Sequence, residues 1–128
     1  MKLISSLSIV LLLACGGNGS NFGPSSGVPP SATIGSLSGS EAGILCDWTN
    51  GKEGGYGRVL NCPDGSQTGT DPDKPSCLDV MAYIGVGCPS LVVSDVEDCA
   101  NATGPNLCQI PTAAACANVN ACFASLGI

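Results

Sequence analysis

Cysteine carries most of the chemistry open to this chain. Eight cysteines, Cys46, Cys62, Cys77, Cys88, Cys99, Cys108, Cys116 and Cys122, fill the last two-thirds of 128 residues, with spacings that shrink towards the end. A metal knuckle takes two thiolates two to four residues apart, so that one tight turn presents both. No two of these eight lie closer than six positions. The pattern therefore predicts four disulfides, with a zinc or iron–sulfur site as the competing use. The chain has no histidine, which excludes histidine general-base catalysis and imidazole-ligated zinc. Ser66, Thr68 and Thr70 are nucleophile types with no base at hand. Asp64, Asp71 and Asp73 offer oxygens to calcium, but no glutamate closes the loop at EF-hand distance and prolines interrupt it. We read them as turn-forming aspartates and expect no cofactor. Trp48, Tyr56 and the Gly54-Gly55 turn would make an aromatic platform for a sugar or peptide, but aromatics are so scarce here that a place in the core fits better.

A ninth cysteine, Cys15, stands apart. Residues 3–14 form an apolar run behind one positive charge, Lys2, and contain no acid. Spanning a bilayer takes about 20 apolar residues, so this dozen suits the core of a signal peptide. Its end, Leu12-Leu13-Ala14-Cys15, resembles the bacterial lipobox, in which a signal peptidase cuts just before the cysteine. The resemblance implies a signal peptide over 1–14. Cys15 then heads the mature chain with a diacylglyceryl thioether, and usually a third acyl chain on its amine. Two or more acyl chains anchor a protein stably where one is marginal. An ordinary secretory signal is the alternative. Parity favours the lipid: an odd cysteine count in an exported protein calls for explanation, and lipid on Cys15 leaves eight to pair.

The segments behind Cys15 must position this chemistry. Residues 15–42 are rich in Gly, Ser, Asn, Pro and Thr, with Phe22, Val28, Ile34 and Leu37 isolated and without period. They read as a flexible linker with a reach of roughly 30 Å, and the eight-cysteine domain is expected over 43–128. Few large apolar residues remain after the leader, so that domain needs covalent staples to offset its conformational entropy. The whole chain carries a net charge of −6, and loss of Lys2 with the leader makes it −7. That balance disfavours nucleic acid and anionic lipid surfaces, so membrane attachment would come through lipid rather than charge.

The expected fold class is α+β, small and disulfide-rich: a short antiparallel sheet followed by about three short helices. Ile44–Trp48, Tyr56–Cys62 and Ser66–Thr70 read as strands, the last two joined by a tight Pro63-Asp64-Gly65 turn. Ser76, with Asp79 three positions on, reads as a helix start, and Cys77, Val80, Met81, Ile84 and Cys88 share one face. Gly85 and Gly87 are expected to end that helix early. A second helix is expected from Ser94, with Glu97 in the capping position and Asp95 and Asp98 in a solvated first turn, stopping at Gly104-Pro105. A third is expected over about Ala113–Leu126. There Cys116, Phe123, Val119, Leu126 and Cys122 span an arc of about 120°. Cys116 cannot bond Cys122 across an intact helix, nor Cys77 reach Cys88 about three turns away. Other pairings stay open.

Three short motifs recur in a known group: Cys46-Asp47-Trp48, Gly54-Gly55-Tyr56-Gly57 and Cys62-Pro63-Asp64-Gly65, followed by helices bearing one or two cysteines each. Residues 46–122 thereby resemble the short cysteine-rich lipoproteins of myxobacteria and their relatives. The resemblance implies an address and a scaffold but no chemistry. The expectation is an exported protein, lipid-anchored to the cell envelope at the outer membrane. It would act as a structural or interaction module for a protein or glycan partner, not as an enzyme. A rigid inhibitor of an exported protease or other enzyme is the alternative, since stapled loops such as Asn61–Thr70 present well to an active site.

Overall fold

The computed structural model describes residues 22–128. It shows a small, disulfide-rich α+β domain with four helices and one two-stranded antiparallel sheet. The expected signal peptide, Cys15 and the first part of the expected linker lie outside the described residues.

Helix α1 (Gly39–Lys52) stands where a strand was expected over Ile44–Trp48. A capping box starts it: Glu41 N donates to Ser38 Oγ (3.2 Å) and Ser38 N to Glu41 Oε2 (2.8 Å). Those bonds satisfy two of the amides a helix start leaves free. The box lies inside the Ser/Gly-rich stretch expected to be linker, outside the short apolar window that suggests a strand. Leu45, Cys46 and Trp48 face inward while Ile44 and Asp47 face solvent, which is one side of a helix rather than alternation. The chain leaves α1 through Gly54 and Gly55, whose φ angles of 100° and 105° suit glycine.

Strands β1 (Val59–Asn61) and β2 (Gln67–Gly69) pair as Val59 with Gly69, Leu60 with Thr68 and Asn61 with Gln67. The turn forms as expected from Pro63-Asp64-Gly65. Gly65 has φ 87°, Cys62 N donates to Ser66 O (2.8 Å), and Asp64 Oδ1 accepts from Ser66 N (2.9 Å). Both strands are shorter than expected.

Helix α2 (Lys74–Gly87) starts at an Asp73 cap, whose Oδ1 accepts from Ser76 N (2.9 Å), with a proline in its first turn. The expected cap at Ser76 is therefore corrected by three residues, to Asp73. Cys77, Met81, Ile84 and Cys88 are buried as expected, but Val80 is exposed. Gly85 does not end the helix. It lies within it, at the crossing of the 3-10 turn Ile34–Ser36.

Helix α3 (Val93–Thr103) ends at Gly104. The capping acid is Asp95, whose Oδ2 accepts from Val92 N (3.1 Å), not Glu97, which is buried. Short 3-10 turns at Leu107–Gln109 and Ala114–Cys116 lead to α4 (Ala117–Leu126), capped by Gly127.

Part of the expected linker belongs to the domain. Val28 and Ile34 are 3% and 4% exposed. Ile34 N donates to Leu91 O, Val93 N to Ala32 O and Ser94 N to Pro30 O, each at 2.9 Å. Before that strip, Trp48 Nε1 donates to Gly23 O (3.0 Å) and Asn101 Nδ2 to Pro24 O (2.7 Å). Buried Glu97 accepts from Ser26 N (2.6 Å). The domain thus extends well before residue 43. Its N-terminal strap is held by single apolar plugs and polar ties from α1 and α3, and neither device leaves a hydrophobic period.

Candidate functional site

The eight cysteines of the described residues form four bonds: Cys46–Cys77, Cys62–Cys108, Cys88–Cys122 and Cys99–Cys116. Each joins two different elements, and neither excluded pairing occurs. Among the described residues no group of three or more His, Cys, Asp or Glu side chains is arranged to hold a metal ion. The cysteines are thus structural. A bridge closing a loop of 17 residues, as Cys99–Cys116 does, withdraws on the order of 3 kcal/mol of chain entropy from the unfolded state.

Six of these cysteines are buried, while Cys62 and Cys108 are partly exposed. Their bridge ties the turn end of the β1–β2 hairpin to the Leu107–Gln109 turn. The other end is held by polar bonds: Gly57 N to Asp71 O (2.7 Å), Arg58 N to Thr70 Oγ1 (2.9 Å) and Thr70 Oγ1 to Gly55 O (2.7 Å). The hairpin is therefore a flap pinned at both ends rather than a packed sheet.

Between this flap and the helices lies a cleft of about 420 Å³, within the range of small-molecule sites. Its walls are mostly apolar, from Met81 and Ile84 of α2, Val96 of α3, Leu107, and Val119 and Phe123 of α4. Asp64 and Ser66 stand at the hairpin turn, and Thr49, Glu53 and Asp71 form a polar end. Asp71 Oδ2 accepts from Asn50 Nδ2 (3.1 Å). Thr49 Oγ1 is buried and has no hydrogen-bond partner among the described residues. Arg58 donates from Nη1 to the backbone oxygens of Glu53 and Pro105, the latter at 3.0 Å.

Glu53 is the unusual group here. Burial, with Asp71 close by and partly offset by Arg58, pushes its carboxyl up to about 7. Near neutral pH it is an acid able to give or take a proton, and a perturbed acid in a cleft is a candidate functional group. Reading the sequence did not single it out. One signal was present: a glutamate at the C-terminal end of a helix sits against the macrodipole, but it becomes visible only once Ile44–Trp48 is recognised as helical.

The other residues with candidate chemistry are dispersed. Asp64 stiffens the turn, Asp71 reaches the cleft and Asp73 caps α2. Ser66 Oγ lies 2.6 Å from Asp64 Oδ1. Trp48 is buried, as a core residue of a helix rather than of the sheet. Tyr56 Oη donates to Asp47 Oδ1 (2.9 Å), and burial with that acceptor raises its phenol above the usual range. Asp47 also pairs with Lys74 (2.6 Å) at the surface, where such a pair contributes little. No helix among the described residues is long and apolar enough to cross a membrane. No protein family, curated protein or solved structure matches the chain.

Proposed function

We propose that this chain is an exported binding module, anchored to the cell envelope at the outer membrane by lipid on Cys15. The observation that carries the reading is the complete pairing of the eight domain cysteines. Such a set persists in oxidising compartments and is rare where thiols are kept reduced. The lipobox-like end of the leader and the resemblance to short cysteine-rich lipoproteins support the anchor. Binding suits the site better than turnover, because the hydroxyls of Ser66 and Thr70 are engaged in turn and strand bonds. One observation favours catalysis instead: the raised carboxyl of Glu53 in a cleft.

Mass spectrometry of the membrane fraction tests the anchor. A mature N-terminus at acylated Cys15, with release of Cys15→Ala to the soluble fraction, is the expected result. A soluble wild type beginning elsewhere overturns it. Pull-down with the mature protein tests the binding role for a protein or glycan partner. Recovery of an exported protease inhibited by the chain would replace the module with an inhibitor, presenting the exposed turn at Pro63–Ser66. A turnover lost in Glu53→Gln would replace it with an enzyme.

A further inference from the structure

We propose that the cleft beneath the hairpin binds a small amphipathic cation, its apolar body among Met81, Ile84, Leu107, Val119 and Phe123 and its ammonium group against Glu53 and Asp71. The inference goes beyond the exported-module reading and stands whether or not Cys15 carries lipid.

Shape and chemistry both point there. The cleft is lined from the hairpin turn to Ile34 and Leu91 in the core, so an apolar body would leave much of its water behind. Asp64 and Ser66 stand at the hairpin turn, and Thr49, Glu53 and Asp71 form the polar end. A primary ammonium carries three donors and no acceptor. Next to the buried Thr49 Oγ1, which has no partner among the described residues, the end offers the two oxygens of the Glu53 carboxyl and the Asp71 oxygen not taken by Asn50. These three acceptors match three donors.

Charge sets the sign. The acids lining the cleft are Glu53, Asp64 and Asp71, and no basic side chain lines it. Arg58, whose charge partly offsets the burial of Glu53, has its Nη1 turned to two backbone carbonyls. An anionic head would meet carboxylates, and a neutral one would forgo a charge-assisted bond of about 1.5–3 kcal/mol.

The test uses the mature, fully oxidised protein and three probes of one length: n-hexylammonium, hexan-1-ol and hexanoate. Calorimetry at neutral pH should show saturable binding of hexylammonium about tenfold tighter than hexanol, with hexanoate weakest. Glu53→Gln should reduce the preference for the amine, and Glu53→Gln combined with Asp71→Asn should erase it, while hexanol binding persists. Methyl NMR should place the shifts at Ile84, Leu107 and Val119, a readout that holds even if the variant folds poorly. Absence of saturable binding by any probe overturns the proposal. So does hexanoate binding as tightly as the amine, a preference that survives Glu53→Gln combined with Asp71→Asn, or methyl shifts that fall outside the cleft.

Discussion

Gly35 and Gly85 meet backbone to backbone. A Cβ on Gly35 would lie 2.6 Å from the Gly85 oxygen, and one on Gly85 would lie 2.7 Å from the Gly35 Cα. This contact seats the 3-10 turn Ile34–Ser36 on α2 and buries Ile34. It reverses the usual sign of a helical substitution. Gly→Ala inside a helix normally adds about 1 kcal/mol, but Gly85→Ala must push two backbones apart. We expect it to destabilise by about 1–3 kcal/mol. Gly39, in the first turn of α1 with open space around its Cβ position, is the control, and Gly39→Ala should be neutral or stabilising. Urea midpoints of both variants check the pair. A stabilised Gly85→Ala would show that the contact is loose.

The Cys62–Cys108 bridge should be the first to open. Its two cysteines are the ones partly exposed, whereas those of the other three bridges are buried, and thiol–disulfide exchange needs access to a sulfur. Graded reduction followed by alkylation and peptide mapping should label Cys62 and Cys108 before any other cysteine. Their loss should release the turn end of the hairpin while the helices keep their far-ultraviolet signal. Earlier labelling at Cys46 or Cys99 would contradict the pinned-flap description.

Glu53 should make stability depend on pH in the direction opposite to an ordinary paired carboxylate. Its folded-state carboxyl lies at about 7 against 4.5 for the free group. Below pH 4.5 both states hold the proton and nothing is lost. Between 4.5 and about 7 the unfolded chain releases its proton while the folded one keeps it, so folding stability falls as pH rises. The loss should total on the order of 3 kcal/mol, and level off above pH 7. Asp64 and Asp73 are held below the usual range by bonds from Ser66 and Ser76, so their contributions fall away at acid pH instead. The wild-type curve minus that of Glu53→Gln isolates the effect. A flat difference between pH 4.5 and 7 would refute the buried acid.

What the sequence makes legible is local. The hairpin follows from Pro63-Asp64-Gly65, because a turn is set by residues that touch one another in the chain. The helical face of Cys77, Met81 and Ile84 and the forbidden Cys116–Cys122 pairing follow from helix period alone. Ile44–Trp48 fails because five residues fit both alternation and a helical stripe, and Ser38 with Glu41 decides between them from outside the window. Gly85 fails because its reason, the crossing with Gly35, lies 50 residues away in sequence. The strap fails for want of period: Val28 and Ile34 are single buried residues six positions apart. The cleft was least legible, since its polar end joins the C-terminal turn of α1 to the segment after β2, and Glu53 acquires its character only from that meeting.

The strap should depend on Glu97. This buried carboxylate accepts from Ser26 N at 2.6 Å and from Ser25 Oγ at 3.3 Å, charge-assisted bonds that join α3 to a segment 71 residues earlier. Glu97→Ala removes the acceptor, leaves the Ser26 amide unsatisfied, and should cost about 1–3 kcal/mol. Glu97→Gln keeps a carbonyl oxygen at the same place and should recover part of that loss. A merely space-filling role would show no such recovery. Hydrogen exchange separates local from global effects: the Val28 amide, which donates to Ser26 Oγ (3.1 Å), should lose protection in Glu97→Ala. The Leu45 amide, deep in α1, should keep most of its own. Equal loss at both positions would mean that the strap and the helices unfold as one unit, with Glu97 stabilising all of it rather than holding one end.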